Sequence, residues 1–265
     1  MSVETIPVGD HLREWRRRRR MSQLDLACEA EVSSRHLSFV ETGRASPSRE
    51  MILRLAEQLE VPMRERNVLL VSAGYAPVFP ERSFDAPEMA AARGAIDVIL
   101  QGLKPFPAFA LDRHWNIAAS NNALPQLYEG VATELLAQPV NAMRLTLHPR
   151  GLAPKIVNLT EWREHMLHRL RHQIELTADA VLIDLLAELQ GYGVAATPAR
   201  RPSPRALAEM VIPFSVRIGD EVASFMTTTM VFGSPVEVSL SELAIESFFP
   251  AEAETDRLVR RLAAG

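Results

Sequence analysis

The sequence predicts two domains of different fold class, an all-α domain followed by an α+β domain. Its 265 residues suit one large domain or two modest ones. Apolar residues recur at helical spacing through residues 9–75, whereas several later segments alternate between apolar and polar residues as strands do. We therefore expect domains at 1–75 and 105–265, joined by a linker and a connecting helix at 76–104.

The composition indicates a globular, cytoplasmic protein. Apolar residues make up 47% of the chain, charged residues make up 23%, and the net charge is −4. No run of about 18 apolar residues is present, so we expect no membrane span. The N-terminus is polar before its arginines and lacks the apolar centre of a signal peptide. The single cysteine, Cys28, cannot form a disulfide within the chain.

Five short helices are predicted in the first domain, and the first of them ends in the arginine run 16–20. Residues that commonly cap or stop helices mark the other helix ends, namely Ser22, Ser33 and Ser48 as N-caps and Gly43 and Gly74 as stops. In the second helix, the spacing of Leu24, Ala27 and Cys28 predicts the buried side.

A pattern of residue types at fixed spacing runs through residues 21–61, MSQLDLACEAEVSSRHLSFVETGRASPSREMILRLAEQLEV. Ser-Gln opens the second helix, Val-Ser precedes the third, Glu-x-Gly-Arg ends the third, and Pro-Ser precedes the fourth. This pattern resembles the helix-turn-helix of the Xre and lambda-repressor-like type. The resemblance implies an all-α, lambda-repressor-like domain whose third helix binds the major groove of a double-stranded DNA operator.

The third helix begins at residues that we expect to meet DNA, since the N-terminal side chains of a recognition helix reach base edges. Arg35 can pair bidentately with guanine, and Phe39, one turn later, can contact a thymine methyl group. Ser34 and His36 complete the predicted base-reading set, and the backbone amides at the Ser33 helix end suit phosphate. Phe39 has a plainer alternative as an exposed apolar residue without a partner.

Contacts to the DNA backbone are expected around this helix. The resemblance implies that Gln23 binds phosphate and braces the third helix. Arg44 and the run 16–20 would add phosphate contacts, which position a protein without reading sequence. The alternatives are a merely solvated charged face for the run and a protein-docking role for the whole unit. Since a palindromic operator takes two recognition helices, we expect a homodimer.

The second domain is predicted to mix strands and helices. Its predicted elements are two strands about a turn at 109–120, a capped helix at 121–128, helices at 159–176 and 177–193, a loop at 196–205, a hairpin over 210–233 that turns at Gly219-Asp220, and a final helix at 251–265. No nucleophile and base stand together in a known catalytic pattern, so we expect no enzyme.

Three segments of this domain are distinctive: PAFALDRHWNIAASNNA at 107–123, NAMRLTLHP at 141–149 and EWREHMLHRLR at 161–171. Together they resemble the ligand-binding domain of the MmyB-like transcription regulators. The order of the parts, a helix-turn-helix, the junction SAGYAPVF and then this domain, is similar as well. The resemblance implies a PAS-like fold, in which a sheet and helices enclose an apolar pocket for a fatty-acid-like ligand.

An acyl ligand needs an apolar tunnel and a cationic or hydrogen-bonding group at its mouth. The residues that we expect to line or close such a pocket are Arg144, Trp162, His165, Arg169, Phe109, Phe214, Phe225 and Met226. Arg144, which lies among apolar residues, is the first candidate for the ligand's carboxylate. The alternatives are a structural ion pair for Arg144 and plain core packing for the phenylalanines.

No resident cofactor is expected beyond a bound fatty acid or similar lipid. His165, His168 and His172 recur with Glu161 on one helical face, at a spacing that metal ligands use. A metal sensor is therefore an alternative, although a polar outer helix face explains the same pattern. A further alternative makes the second domain only a module for dimerisation or partner docking.

Overall fold

The computed structural model describes residues 6–193 and 212–264. The chain forms two compact units. The first extends to Arg82 and includes the later segment Pro235–Ser241, and the second comprises the rest. The loop predicted at 196–205 and the start of the predicted hairpin, 210–211, lie outside the described residues.

Five consecutive helices begin the first unit: α1 (Val8–Arg18), α2 (Gln23–Glu29), α3 (Ser34–Glu41), α4 (Arg49–Gln58) and α5 (Met63–Ser72). Ser22, Ser33 and Ser48 each cap a helix by accepting a hydrogen bond from the backbone N–H three residues later. Gly43 and Gly74 follow α3 and α5 with φ angles of 71° and 85°, in the left-handed region that favours glycine. The predicted helix boundaries are confirmed at these residues.

The α2 helix buries a different side from the one predicted. Leu26, Ala27 and Ala30 are at most 2% exposed, whereas Leu24 is 62% exposed. Cys28 is exposed too, so the prediction that Leu24 and Cys28 face the core is wrong. These two residues lie four positions apart and share one face of the helix, which here is the outer face.

The α1 helix approaches the end of α3 closely at Gly9. A Cβ atom at this position would lie 2.3 Å from the carbonyl oxygen of Val40. Only a residue without a side chain allows this contact, so Gly9 sets how near the two backbones can lie.

Residues 76–82, part of the predicted linker, are bonded to the first unit. The side chain of Asn67 donates to the carbonyl of Phe79 at 2.7 Å and accepts from the N–H of Val78 at 2.9 Å. This amide holds the segment against α5.

The short helix α10 (Val238–Ser241) also belongs to the first unit. The carboxylate of Glu237, which is 5% exposed, accepts a hydrogen bond from the N–H of Arg82 at 2.7 Å, across 155 residues of sequence. No local pattern predicts this contact, because it depends on where the chain returns after the intervening fold.

A five-stranded antiparallel sheet forms the centre of the second unit. Its strands are β1 (Ala108–Leu111), β2 (Ile117–Ser120), β3 (Phe214–Ile218), β4 (Glu221–Val231) and β5 (Ala244–Pro250), in the order β2-β1-β5-β4-β3. The predicted strands at 109–120 and the hairpin about Gly219-Asp220 are confirmed. The central strand β5 was not predicted, because the buried Glu246 and Ser247 interrupt its apolar pattern.

Helices cover both faces of this sheet: α6 (Ala90–Gly102), α7 (Ala142–Leu147), α8 (Leu159–Thr177), α9 (Ala180–Gly191) and α11 (Ala253–Ala264). Ile96 of α6 lies in one apolar cluster with Ala110 and Ile245. On the opposite face, Trp162 of α8 packs on Phe214, with ring centroids 5.0 Å apart. The unit is an α+β, PAS-like domain, as predicted. None of the helices described is long and apolar enough to cross a membrane.

The capped helix predicted at 121–128 is wrong, since only a single turn of 3-10 helix forms, at Pro125–Tyr128. Asn121 is 3% exposed, and its amide makes four hydrogen bonds of 2.8 to 3.2 Å to backbone groups, including the carbonyl of Leu100 and the N–H of Ala108. The side chain therefore joins β1 to α6 and cannot cap a helix.

We expect Gly9→Ala to destabilise the protein by roughly 1–3 kcal/mol, because the added methyl group meets backbone that cannot move aside cheaply. Gly94→Ala is the matched control, since a Cβ atom there would meet no heavy atom within 4 Å. In the interior of α6 this control should stabilise by about 0.5–1 kcal/mol. Urea unfolding followed by circular dichroism measures both. Equal midpoints for the two variants would contradict the close approach of α1 to α3.

Candidate recognition helix and apolar cavity

The start of α3 is exposed at the surface of the first unit. Ser33 caps the helix by accepting a hydrogen bond from the N–H of His36 at 3.1 Å. Ser33, Ser34, Arg35 and His36 are exposed, whereas Leu37 is fully buried. Four of the residues predicted to bind DNA therefore lie together at one accessible helix end, and their contact with DNA stays a prediction.

Phe39 and Arg44, two further residues predicted to bind DNA, lie later along the chain. Phe39 is half-buried and Arg44 is exposed. The guanidinium of Arg35 lies over the Phe39 ring, 5.4 Å from its centroid, at the distance of a cation–π contact. Phe39 therefore supports Arg35 and is not an apolar residue without a partner.

The carboxylate of Glu41, at the end of α3, holds three helices together. It is 1% exposed and accepts two hydrogen bonds from Arg16 of α1, at 2.7 and 2.8 Å. Gln23, the first residue of α2, donates to it at 2.8 Å. Gln23 thus braces α3, as the resemblance implies. Its predicted contact with phosphate stays a prediction.

The charge of Glu41 is maintained by its partners. Burial alone would raise the pKa of this carboxyl, but the hydrogen bonds from Arg16 and Gln23 and the nearby charges of Arg16 and Arg13 outweigh it, so the pKa is lowered. The ionised form is therefore the stable one in the folded unit.

Three of the five arginines at 16–20 bind other groups of the first unit. Arg19 donates to a backbone carbonyl just after α4 at 2.8 Å, and Arg18 pairs with a glutamate one turn earlier at 3.0 Å. Within the residues described, Arg17 and Arg20 are the members of the run whose side chains lack a partner. The phosphate contacts expected of the whole run stay a prediction. Arg17 and Arg20 are the first candidates for them, because guanidinium groups that satisfy internal acceptors are less available to DNA.

An apolar cavity of about 60 Å³ lies in the second unit, between one face of the sheet and helices α7 and α8. The residues that line it are Pro107, Phe109, Leu111, Trp115, Ile117, Leu127, Tyr128, Ala142, Leu145, Thr146, Leu152, Trp162, Met166, Arg169, Phe214, Phe225, Thr227, Glu246 and Phe248. Five of the eight predicted pocket residues are among them, namely Phe109, Trp162, Arg169, Phe214 and Phe225.

Arg144 is not at the mouth of this cavity. Its guanidinium forms a bidentate ion pair with Glu188 of α9, at 2.7 and 2.9 Å. The neighbours Leu145 and Thr146 line the cavity instead. Successive residues of a helix point about 100° apart, so α7 cannot present all of these side chains to the same space. Arg144 is the structural ion pair of the alternative interpretation.

Met226 and His165 also lie outside the cavity wall. Successive side chains of a strand point to opposite faces, so Phe225 faces the cavity and Met226 pairs with Phe249 on the other face. The His165 ring packs on Trp162 at 5.3 Å between centroids. Burial, and to a lesser extent the charge of Arg169, lower the pKa of His165.

The histidine and glutamate side chains of the possible metal site on α8 do not converge on one point. His168 and His172 are exposed, and His172 lies 3.9 Å from Glu175 on the same helix. Among the residues described, no group of three or more histidine, cysteine or acidic side chains is arranged to hold a metal ion.

A polar corner interrupts the apolar wall of the cavity. Arg169 of α8 forms an ion pair with Glu246 of β5 and donates to the hydroxyl of Thr229 at 3.2 Å. Thr229 in turn donates to Glu246 at 2.8 Å. The guanidinium also lies over the ring of Trp115, 4.9 Å from its centroid. This corner is the part of the cavity wall that can orient a ligand.

Comparison with known sequences identifies the family. The profile of the MmyB-like transcription regulator ligand binding domain matches residues 92–262, more than half of the 265-residue chain. The chain belongs to the MmyB-like transcription regulators. A helix-turn-helix domain profile matches residues 7–69, so the MmyB-like domain follows a helix-turn-helix domain, as the sequence predicts.

The chain is also similar to a curated helix-turn-helix protein. An uncharacterized HTH-type transcriptional regulator, RghRB of Bacillus subtilis (strain 168), is 37% identical over 83 residues. The matched segment is 31% of this chain and 58% of that protein, so this MmyB-like chain spans somewhat more than half of its relative's length.

Glu246, the acidic residue of the polar corner, was not among the residues predicted from the sequence. Glu246 lies in AIESFF, the strand that was not predicted, and is 4% exposed. The signal available was a lone acidic residue between apolar ones near the end of the MmyB-like domain. It could not be interpreted without knowing that Arg169, 77 residues earlier, lies opposite it.

We expect Glu41→Gln to destabilise the protein by roughly 3–5 kcal/mol, since removing one partner leaves the part-buried guanidinium of Arg16, whose side chain is 11% exposed, without its counter-ion. Glu14→Gln, which removes an exposed partner of Arg18, is the matched control and should leave the urea midpoint almost unchanged. The same loss in both variants would show that Glu41 does not hold the helices together.

We also expect Glu41 to contribute to acid lability. Because its folded-state pKa lies below its ordinary value of 4.5, its stabilisation is present above that value and is lost as the pH falls through the lowered folded-state pKa. Urea titrations of the wild type and Glu41→Gln from neutral pH into this acid range should therefore converge. A constant difference between them would contradict the lowered pKa.

Proposed function

We propose that this chain is a transcription regulator that reads a double-stranded DNA operator with α3 and senses a small hydrophobic ligand, a fatty acid or similar lipid, in the cavity of its second unit. Ligand binding would change operator affinity. The observation that carries the DNA half is the exposed start of α3 on a frame that Glu41 locks in place. An exposed helix end on such a rigid frame suits the major groove.

Each residue at this end has a role that its chemistry supports. Arg35 would pair with guanine, and the Phe39 ring beneath its guanidinium limits the directions in which it can point. Ser33, Ser34 and His36 would contact neighbouring bases or phosphates. Arg44, which is exposed just past α3, would contact the backbone.

We further propose that the protein binds its operator as a homodimer. Two copies of α3 on the two halves of a palindromic site would multiply the specificity that one short helix can provide. Sedimentation of the protein with and without operator DNA tests this proposal.

The apolar cavity carries the ligand half of the proposal. Its wall is formed mainly by aromatic and aliphatic side chains, with one polar corner at Arg169, as sites for acyl ligands require. Its volume of about 60 Å³ is below the roughly 300–1,000 Å³ of typical ligand pockets. An acyl chain would therefore enter as lining side chains move, and Met166, which is flexible, is the first candidate.

We expect Arg35→Ala to weaken operator binding by about 1–3 kcal/mol and to relax the preference at one base pair. Arg171→Ala, which removes an exposed arginine of α8, is the control and should leave the preference unchanged. Operator selection from a randomised pool, followed by gel-shift titration, measures both effects. Unchanged sequence preference in Arg35→Ala would show that α3 docks in another register.

We expect Arg17→Ala and Arg20→Ala to weaken binding to all DNA sequences alike and to lower the slope of affinity against salt by about one each. The physical reason is that phosphate contacts release counterions whatever the base sequence. Salt titrations of binding to operator and to random DNA measure the slopes. A selective loss on the operator alone would contradict a phosphate role.

We expect Ala142→Phe to abolish ligand binding by filling the cavity, whereas Ala187→Phe, on the exposed side of α9, should not. Native mass spectrometry of the purified proteins, followed by extraction and identification of bound lipids, is the measurement. A lipid bound equally to both variants would place it outside the cavity. A wild-type protein that neither carries nor binds lipid would favour the dimerisation or docking role for this domain.

A further inference from the structure

The charges in the cavity wall cancel before any ligand enters. Among the residues described, Arg169 and Glu246 are the only acidic or basic residues of the wall, and they are paired with each other. Glu246 is 4% exposed and is held by a second hydrogen bond of 2.8 Å from Thr229, its neighbour across the β4–β5 pair. Its carboxylate is therefore fixed from two sides.

Groups near this pair add no further charge at neutral pH. His165 interacts with both Arg169 and Glu246, and its pKa is lowered by burial first and then by Arg169, so its ring is neutral. Burial raises the pKa of Tyr128 to about 12, so its phenol stays protonated. The cavity is thus electrically neutral in the part of the chain that the structure describes.

Hydrogen-bonding groups remain available in the wall. Tyr128, Thr146 and Thr227 line the cavity, and their hydroxyl groups have no hydrogen bond to the residues described. Within the described residues, the hydrogen bonds of Arg169 engage only Nη2 of its three guanidinium nitrogen atoms. Hydroxyl and N–H groups that line a cavity favour a ligand that supplies hydrogen-bond partners.

We propose that the cavity selects an acyl compound with an uncharged, hydrogen-bonding head group, such as an amide, alcohol or ester, and that Glu246 excludes the carboxylate form. The proposal rests on the proposed ligand-sensing function and narrows its ligand from a fatty acid or similar lipid to an uncharged acyl compound. A carboxylate approaching Arg169 would meet the like charge of Glu246 in surroundings that screen it poorly. An uncharged head group meets no such repulsion and can accept from the remaining N–H groups of Arg169.

The first test compares octanamide with octanoate, which share one alkyl chain, by calorimetric titration of the full-length wild-type protein at neutral pH. We expect octanamide to bind at least about tenfold more tightly, a difference of about 1.4 kcal/mol. This comparison needs no variant. Tighter binding of octanoate would overturn the proposal and leave the ligand-sensing function in place.

The second test changes the excluding charge. Glu246→Gln keeps an oxygen that can accept from Thr229 but leaves Arg169 positively charged, so octanoate should gain at least about tenfold relative to octanamide. Glu188→Gln is the matched control, because it removes an arginine-paired carboxylate outside the cavity and should leave the ratio unchanged. If Glu246→Gln folds and its ratio equals that of the wild type, Glu246 does not select the head group.

Failure of the proposed function gives a different result. If neither compound binds to the wild type or to Glu246→Gln, the cavity does not take acyl compounds, and both proposals fall. Binding that Ala142→Phe leaves intact would place the compounds outside the cavity and would overturn the selection by Glu246 as well.

Discussion

A buried carboxylate must keep a cationic partner, and the functional part of each unit depends on this constraint. In the first unit the carboxylate is Glu41, which Arg16 neutralises and to which Arg16 and Gln23 both donate hydrogen bonds. In the second unit it is Glu246, which Arg169 and Thr229 hold. In both units the pair joins a helix to a separate element. Its directional hydrogen bonds fix the position of the helix relative to that element, which non-directional apolar packing does less well.

The pairing also decides which charges remain for binding. Because Arg16, Arg18 and Arg19 satisfy groups of their own unit, the dense arginine run presents fewer free guanidinium groups than its sequence suggests. Because Glu246 compensates Arg169, the cavity is less cationic than a lone arginine in an apolar wall would make it. The net effect is an exposed helix end at α3, which we propose reads DNA, and an apolar cavity whose one polar corner carries no net charge.

Predictions from the sequence succeeded where the determinants are local. Ser33 caps α3 by bonding a group three residues away, so its role can be read from neighbouring letters. They failed where one local pattern fits several structures. Met226 follows Phe225 in a strand, and both are apolar, but the pleat turns them to opposite faces. Arg144 is a cation among apolar residues, yet its partner, Glu188, lies 44 residues away.

The sequence by itself determined the family, the two fold classes, the caps of α2, α3 and α4, and the surface helix that carries Arg35, because residue spacing and capping act over a few positions. Only the tertiary structure decided which apolar side chains enclose the cavity, that Pro235–Ser241 belongs to the first unit, and that Glu246 lies opposite Arg169. These facts depend on strand order and on contacts between distant segments. No local pattern encodes such contacts, since the same residues would suit several partners until the whole chain has folded.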